Sequence, residues 1–183
     1  VLGGAEVRFF ALGLRPMEYP TERRGAFVSP DTLVNRVQDV AVRTLELCRH
    51  EHYEDCPWRE QALYAYDSRL QALYGYYALG DYRFPEVSFS LLGRTLDENG
   101  LLTLTAPGRC PVNIPVFTFT WIAAVAEHWL HSGDPVLFEC FRETIDVILN
   151  KALARFDAGT GLYRPPESEE MWHFYEWTPG LSG

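Results

Sequence analysis

The segment over residues 48–67 has the highest density of side chains that could do chemistry. It reads CRHEHYEDCPWREQALYAYD, with five carboxylates, two arginines and two histidines among aromatic residues. A helix is predicted to start at Pro57, because proline fits the first helical position. Residues spaced by three and four on that helix would share one face. The polar set with this spacing is Glu60, Tyr64, Asp67, Gln71 and Tyr74.

A face with two carboxylates and two tyrosines is suited to binding a sugar. Aromatic rings can stack on the sugar ring, while carboxylates hold hydroxyls or donate a proton. The alternative is a solvated helix face with a capped start, which needs no ligand at all. Both interpretations stay open on spacing alone.

Other chemistries find less support in the residues. Cys48, His50, His52 and Cys56 are possible zinc ligands, but their spacing fits no familiar zinc pattern. The chain has no G-x-S-x-G nucleophile elbow and no glycine-rich phosphate loop. We therefore predict neither a bound metal nor a cofactor.

The elements that must position these residues are mostly helices. Ser29, Pro30 and Asp31 supply a cap and a proline in the first turn of a first helix. Its apolar stripe is predicted to be Leu33, Val37, Val40, Thr44 and Leu47. Four more helices are predicted over residues 57–79, 86–96, 117–131 and 135–156. Residues 5–14 are instead apolar and β-favouring, which predicts one or two strands.

A weak repeat runs through the helical part. Gly80-Asp81 and Gly133-Asp134 each end a predicted helix, and each is followed by another helix. Asp-to-Gly turns then come at residues 97–100 and 157–161. The recurrence predicts stacked helical hairpins, as in a repeat protein or toroid, with about three hairpins at most.

Composition excludes several function classes. The 183 residues carry 16 basic and 25 acidic side chains, for a net charge of −9. This balance argues against nucleic acid and anionic membranes as partners, and no run of about 18 apolar residues predicts a membrane span. Only Lys151 among the basic residues is a lysine, and arginine is the better clamp for buried carboxylates. The four cysteines are expected to be reduced and mostly buried.

The motif over residues 55–67 resembles that of a known enzyme family. Residues 55–60 read DCPWRE and are followed by Asp67, which is similar to the D-C-P-x-R-E-x6-D pattern of bacterial α-L-rhamnosidases of glycoside hydrolase family 78. The resemblance extends over about residues 20–178. Its further segments are Gly25-Ala26-Phe27 with Asn35, Thr105-Ala106-Pro107, Ile114-Pro115, Trp121 through Gly133-Asp134, and Glu176-Trp177.

The resemblance implies a mainly α fold, a partial (α/α)6 six-hairpin barrel. Residues 1–20 would end an upstream β-sandwich or linker, and residues 21–183 would form the N-terminal part of the catalytic barrel. The implied activity is removal of terminal α-L-rhamnose with inversion. The implied partners are a rhamnose-containing oligosaccharide or glycoside and the remainder of a longer chain.

The resemblance also assigns roles to residues. Glu60 would be the general acid, with a raised pKa from partial burial and neighbouring carboxylates. Asp55 and Asp67 would hold rhamnose hydroxyls, and Arg59 would orient the carboxylates. The remaining candidate substrate-binding residues are Tyr64, which replaces a usual tryptophan, and Trp121, Glu176 and Trp177.

Two departures and one gap limit what the resemblance implies. Tyr64 would stack less strongly than tryptophan, and Tyr66 replaces a usual glycine next to Asp67, so it could narrow the site. No general base is visible in the sequence, and residues 1–183 alone are expected to be inactive. Two alternatives stay open: a helical-toroid glycosidase or lyase for another sugar, and a non-catalytic carbohydrate-binding helical module. The aromatic segment 171–177 is either core or a second sugar platform.

Overall fold

The computed structural model describes residues 8–108 and 110–181 and is mainly helical, as the sequence predicts. Four two-residue strands form two small antiparallel pairs beside the helices. The helices are α1 (Thr32–Leu47), α2 (Ala65–Ala78), α3 (Arg83–Gly93), α4 (Pro115–Ser132) and α5 (Val136–Leu153). The strands are β1 (Leu63–Tyr64), β2 (Thr105–Ala106), β3 (Phe156–Asp157) and β4 (Leu162–Tyr163). Within the described residues, none of these helices combines the length and the apolar character that crossing a bilayer requires.

Helix α1 starts where a carboxylate caps it, but it buries a different face from the predicted one. The Asp31 side chain accepts a hydrogen bond of 2.8 Å from the Leu33 amide, which satisfies a free donor of the first turn. Val42 and Leu45 are buried. The predicted stripe is wrong as the core face, since Leu33 is 67% exposed and Val37 60%. Periodicity identifies an apolar face, whereas burial depends on where the neighbouring helix lies.

Helix α2 begins at Ala65 and not at Pro57, so the predicted start of this helix is wrong. The Asp55 amide donates to the Ala62 carbonyl at 3.0 Å, and the Asp55 side chain accepts from the Ala62 amide at 2.9 Å. These bonds close residues 55–62 into a loop. Leu63 then pairs with Ala106 of β2, which keeps the backbone extended until the helix starts.

The core lies where α2, α3, α4 and α5 meet. Trp121 of α4 is fully buried, and its Nε1 donates to the Phe89 carbonyl of α3 at 2.8 Å. A Cβ atom at Gly93 would lie 2.5 Å from the Trp121 ring and 2.6 Å from the Phe141 ring. These helices therefore approach so closely that a side chain at position 93 would force them apart.

The predicted repeat is present as two helical hairpins, α2–α3 and α4–α5. Each first helix ends at a glycine with positive φ, +61° at Gly80 and +72° at Gly133, where other residues would be strained. Each second helix is followed by an Asp-to-Gly turn. The Gly100 amide donates to the Asp97 carbonyl at 3.2 Å, and the Gly161 amide to the Asp157 carbonyl at 2.8 Å.

The segment before α1 lies against the end of α2 and does not form the predicted strand. Residues 8–14 contain no strand, and residues 1–7 lie outside the described part of the chain. The Gly25 amide donates to the Ala78 carbonyl at 3.0 Å, which fixes this segment against the helix end. All four cysteines are free thiols, but only Cys48 is buried, so the expectation of mostly buried cysteines is wrong.

Arg49 connects three parts of the chain through one buried guanidinium group. The side chain is 1% exposed and forms an ion pair with Asp81, in the turn between α2 and α3. It also donates to the Thr21 hydroxyl at 3.0 Å, and it lies over the Phe84 ring at 4.4 Å. The segment before α1, the loop after α1 and the α2–α3 turn are therefore held at one point.

Replacing Asp81 with asparagine should destabilise the fold markedly. The variant keeps an oxygen that can cap α3 but leaves the buried Arg49 charge without its partner, which costs roughly 3 kcal/mol in the free energy of unfolding. Urea unfolding followed by far-ultraviolet circular dichroism measures this loss.

The matched control is Glu18→Gln, which removes an exposed ion pair with Arg43. Because water screens exposed pairs, its unfolding midpoint should stay close to that of the wild type. An equal loss in both variants would contradict the role assigned to Arg49.

Candidate active site

The candidate site lies at the N-terminal end of α2. The closed loop over residues 55–62 carries Asp55 and Glu60, and Asp67 lies in the first turn of α2. Strand β1 joins the loop to the helix and is held by β2. The positive end of the helix dipole favours carboxylates at this position.

Glu60 and Tyr64 are joined by a direct hydrogen bond. The Tyr64 hydroxyl donates to Glu60 Oε2 at 2.8 Å. The two residues were expected on one helix face, but Glu60 lies in the exposed turn before β1. Burial, and then this bond to Glu60, raise the pKa of Tyr64, so the hydroxyl stays protonated as the donor.

The carboxylate with a raised pKa in this cluster is Asp67. Burial is the main cause, and the negative charges of Asp55 and Glu60 add to it. The backbone amide of Asp67 acts in the opposite direction. The mutual influence shows that Asp55, Glu60 and Asp67 form one cluster. Asp67 therefore retains a proton more readily than an isolated carboxylate does.

Aromatic rings form one side of the site. Phe117, in the first turns of α4, contacts the Tyr64 ring edge-on at 6.2 Å and stacks on the Tyr66 ring at 6.0 Å. Tyr66 is half-exposed, so part of its ring is open to a ligand. Spacing indicated Tyr64, and Tyr66 was noted only as a departure from the family pattern. Phe117 comes from a distant helix, and no local pattern pointed to it.

Gln71 connects α2 to the segment that carries Asp55. It lies one helical turn after Asp67, and its Nε2 donates to the Glu54 carbonyl at 2.6 Å. Glu54 directly precedes Asp55 in the chain. Glu54 is itself buried, and its Oε1 lies 2.7 Å from His50 Nδ1. The spacing placed Gln71 on the sugar-binding face, whereas its contact shows that it fixes Asp55 relative to α2.

The structure places the remaining candidate residues in three different settings. Trp121 is fully buried between α3, α4 and α5, so its prediction as a substrate-binding residue is wrong: a sugar cannot reach it. Arg59 is exposed and forms no hydrogen bond to the carboxylate cluster. Glu176 is exposed and accepts from the Trp177 amide at 2.6 Å.

Trp177 belongs to a separate aromatic group. Its ring is 74% exposed and contacts Trp172 at 5.7 Å and Phe174 at 4.9 Å. In residues 8–108 and 110–181, no hydrogen bond or ring contact joins Glu176 or Trp177 to the carboxylate cluster. We call this group the second ring platform; its Trp177 ring is exposed, whereas Trp172 and Phe174 are partly buried.

The described residues offer no metal centre. No three His, Cys, Asp or Glu side chains in this part of the chain are arranged to hold a metal ion. His52 Nδ1 is 2.8 Å from the Tyr53 carbonyl, and His50 is engaged with Glu54. The carboxylates, hydroxyls and rings of the candidate site are groups suited to acid–base chemistry on a polyol.

Replacing Asp67 with asparagine should change how stability depends on pH. Because the folded state raises the Asp67 pKa, the protonated carboxyl stabilises the fold below about pH 4, and this contribution is lost as the pH rises through the folded-state pKa. Asparagine does not titrate, so the Asp67→Asn variant does not lose stability in this way as the pH rises. Urea unfolding at several pH values should therefore show that the free energy of unfolding of the variant rises relative to that of the wild type between about pH 4 and 7.

Asp146→Asn, an exposed carboxylate on α5, is the matched control. The same pH trend in the control variant would show that the effect does not come from burial of Asp67.

Comparisons with known proteins identify the family and the fold. A family model described as the bacterial α-L-rhamnosidase six-hairpin glycosidase domain matches residues 22–178. A GH78 family rhamnosidase of Bacillus sp. GL1 is 28% identical with a TM-score of 0.80, over 90% of this chain and 17% of that one. A rhamnosidase from Klebsiella oxytoca with rhamnose bound is similar in fold, at 21% identity and a TM-score of 0.72, over 84% of this chain and 30% of that one.

No curated protein matches this chain. The chain spans less than a third of the length of either rhamnosidase. Its five helices correspond to part of a six-hairpin barrel, which confirms the fold expected from the resemblance. Because the family model covers most of its length, the chain belongs to the bacterial α-L-rhamnosidase six-hairpin glycosidase family.

Proposed function

We propose that the protein containing this chain hydrolyses terminal α-linked L-rhamnose with inversion, with Glu60 as the general acid. The observation that carries the proposal is the cluster of Asp55, Glu60 and Asp67, on the family's D-C-P-x-R-E-x6-D pattern, at the N-terminus of α2. Family membership supports the substrate class.

Two features of Glu60 support this role. It lies in an exposed turn, and the Tyr64 hydroxyl donates to Oε2, so Oε1 is left to carry the proton toward the glycosidic oxygen. Transfer of this proton neutralises the leaving oxygen while the bond to the sugar breaks and positive charge develops on the ring. The remaining carboxylates then stabilise that charge.

Inversion requires a second carboxylate on the opposite face of the sugar, roughly 6.5–9.5 Å from the acid, to activate water. We assign this base to no described residue of the chain. Residues 21–183 are proposed to supply the acid side of the barrel, with residues 1–20 preceding it.

The other candidates take supporting roles in the proposal. Asp55 uses Oδ1 to accept from the Ala62 amide, which leaves Oδ2 for a sugar hydroxyl. Asp67, with its raised pKa, holds a second hydroxyl. Arg59 is exposed on the same loop, so its role is contact with the bound glycoside. Glu176 and Trp177 would contact the glycoside from the second ring platform.

A related activity on a different sugar is the second candidate. Tyr66 directly precedes Asp67 in the chain and stacks on Phe117. The Tyr66 ring therefore occupies space at the edge of the cluster. A narrower site of this kind changes which substituents fit beside the sugar ring. A panel of aryl glycosides that differ only in the sugar distinguishes the two candidates.

Replacing Glu60 with glutamine in the full-length protein should lower kcat for a rhamnoside with a poor leaving group by about 10²–10⁴-fold. The loss should be smaller for a 4-nitrophenyl rhamnoside, because that leaving group needs less protonation. Steady-state kinetics on both substrates measure the effect, with circular dichroism to show that the fold is intact.

Glu51→Gln is the matched control, since Glu51 is an exposed carboxylate on the preceding loop. If Glu60→Gln hydrolyses the rhamnoside with the poor leaving group as fast as the wild type does, Glu60 is not the general acid. Hydrolysis of another glycoside in preference to the rhamnoside would favour the second candidate.

A further inference from the structure

The ring of Tyr64 is held in place by the backbone and by a neighbouring ring. Tyr64 pairs with Thr105 in the short β1–β2 ladder, so its backbone is extended just before α2 begins. Its ring meets the Phe117 ring edge-on at 6.2 Å. The hydroxyl that donates to Glu60 Oε2 at 2.8 Å is therefore carried by a fixed side chain.

Glu60 lacks such support from its own segment. It lies in the exposed turn of the closed loop over residues 55–62, and a glutamate in such a position samples several rotamers. A catalytic group must be held within about 0.5 Å of its productive geometry. The bond to Tyr64 provides a fixed point for this carboxyl group.

The backbone next to Glu60 has an unusual conformation that accompanies this contact. Gln61 has a φ of +51°, which residues other than glycine rarely adopt. The turn is held by the Ala62 amide, which donates to Asp55 Oδ1 at 2.9 Å. Strained backbone persists where surrounding contacts hold it, and it is concentrated at functional sites. In this loop, Glu60 reaches Tyr64 four residues later in the chain although no helix joins them.

We propose that Tyr64 is the positioning residue of the general acid: its hydroxyl orients Glu60 and stabilises the carboxylate that forms when Glu60 gives up its proton. The inference deepens the proposed function and rests on it for the role of Glu60. It assigns to the Tyr64 hydroxyl a role different from the stacking on sugar that the resemblance implies for the ring.

The proton balance of the step shows why the hydroxyl matters. Glu60 Oε1 transfers its proton to the glycosidic oxygen, which keeps the electron pair of the breaking bond to the sugar. The negative charge left on Glu60 is shared between Oε1 and Oε2. The Tyr64 hydroxyl then donates to a charged acceptor, and such a hydrogen bond is roughly twice as strong as a neutral one. Burial raises the pKa of Tyr64, so the phenol keeps its own proton throughout.

The first experiment removes only the hydroxyl. Tyr64→Phe in the full-length protein keeps the ring, so it should lower kcat for phenyl rhamnoside by about 10–100-fold while KM stays within about twofold. The loss should be smaller for 4-nitrophenyl rhamnoside, because its leaving group needs less protonation. Tyr77→Phe, at an exposed tyrosine near the other end of α2, is the matched control and should change neither parameter. Wild-type kcat for phenyl rhamnoside in Tyr64→Phe would overturn the proposal.

A double-mutant cycle tests whether Tyr64 acts through Glu60. In a Glu60→Gln background, Tyr64→Phe should change kcat by less than about twofold, because the group that it positions no longer donates a proton. An equal loss of kcat in the wild-type and Glu60→Gln backgrounds would overturn the proposal.

Crystal structures of the full-length wild type and of Tyr64→Phe separate this inference from the proposed function. The Glu60 carboxyl group should be ordered beside Tyr64 in the wild type and should occupy several rotamers in the variant. The same ordered Glu60 in both proteins would overturn the positioning role. If no rhamnoside is hydrolysed but the difference in order is present, the proposed function fails while the positioning of Glu60 by Tyr64 stands.

Discussion

The ion pair of Arg49 with Asp81 is buried, and burying a guanidinium is costly unless its charge and donors are matched. Here the Asp81 carboxylate, the Thr21 hydroxyl and the face of the Phe84 ring partner the guanidinium, while Arg49 Nε has no hydrogen-bond partner among the described residues. The partners come from the segment before α1, from the α2–α3 turn and from α3 itself. The loop after α1 is therefore held against the turn of the first hairpin, and this loop leads directly to the candidate site.

The path from Arg49 to the carboxylates is short and well bonded. Arg49 pairs with Tyr53 as an isolated bridge, and the Glu54 amide donates to the Cys48 carbonyl at 2.9 Å. Gln71 then holds the Glu54 carbonyl from α2. Asp55 follows immediately and closes its own loop onto Ala62. Structural contacts of this kind pre-organise acidic groups that would otherwise repel one another, so electrostatic strain at the site is offset by packing and hydrogen bonds next to it.

Local sequence determined those features that depend on neighbouring residues. Helices α4 and α5, to within a few residues, and the glycine turns at Gly80 and Gly133 could be predicted, because capping, periodicity and turn preferences act over a few positions. The motif over residues 55–67 was indicated by its resemblance to a family pattern. Only the tertiary structure decided that α2 starts at Ala65, that Trp121 is core, that α1 exposes its predicted stripe, and that the raised pKa falls on Asp67. The physical reason is that burial and charge coupling depend on partners far away in sequence, such as Ala106 in β2 for β1 and Phe117 in α4 for Tyr66.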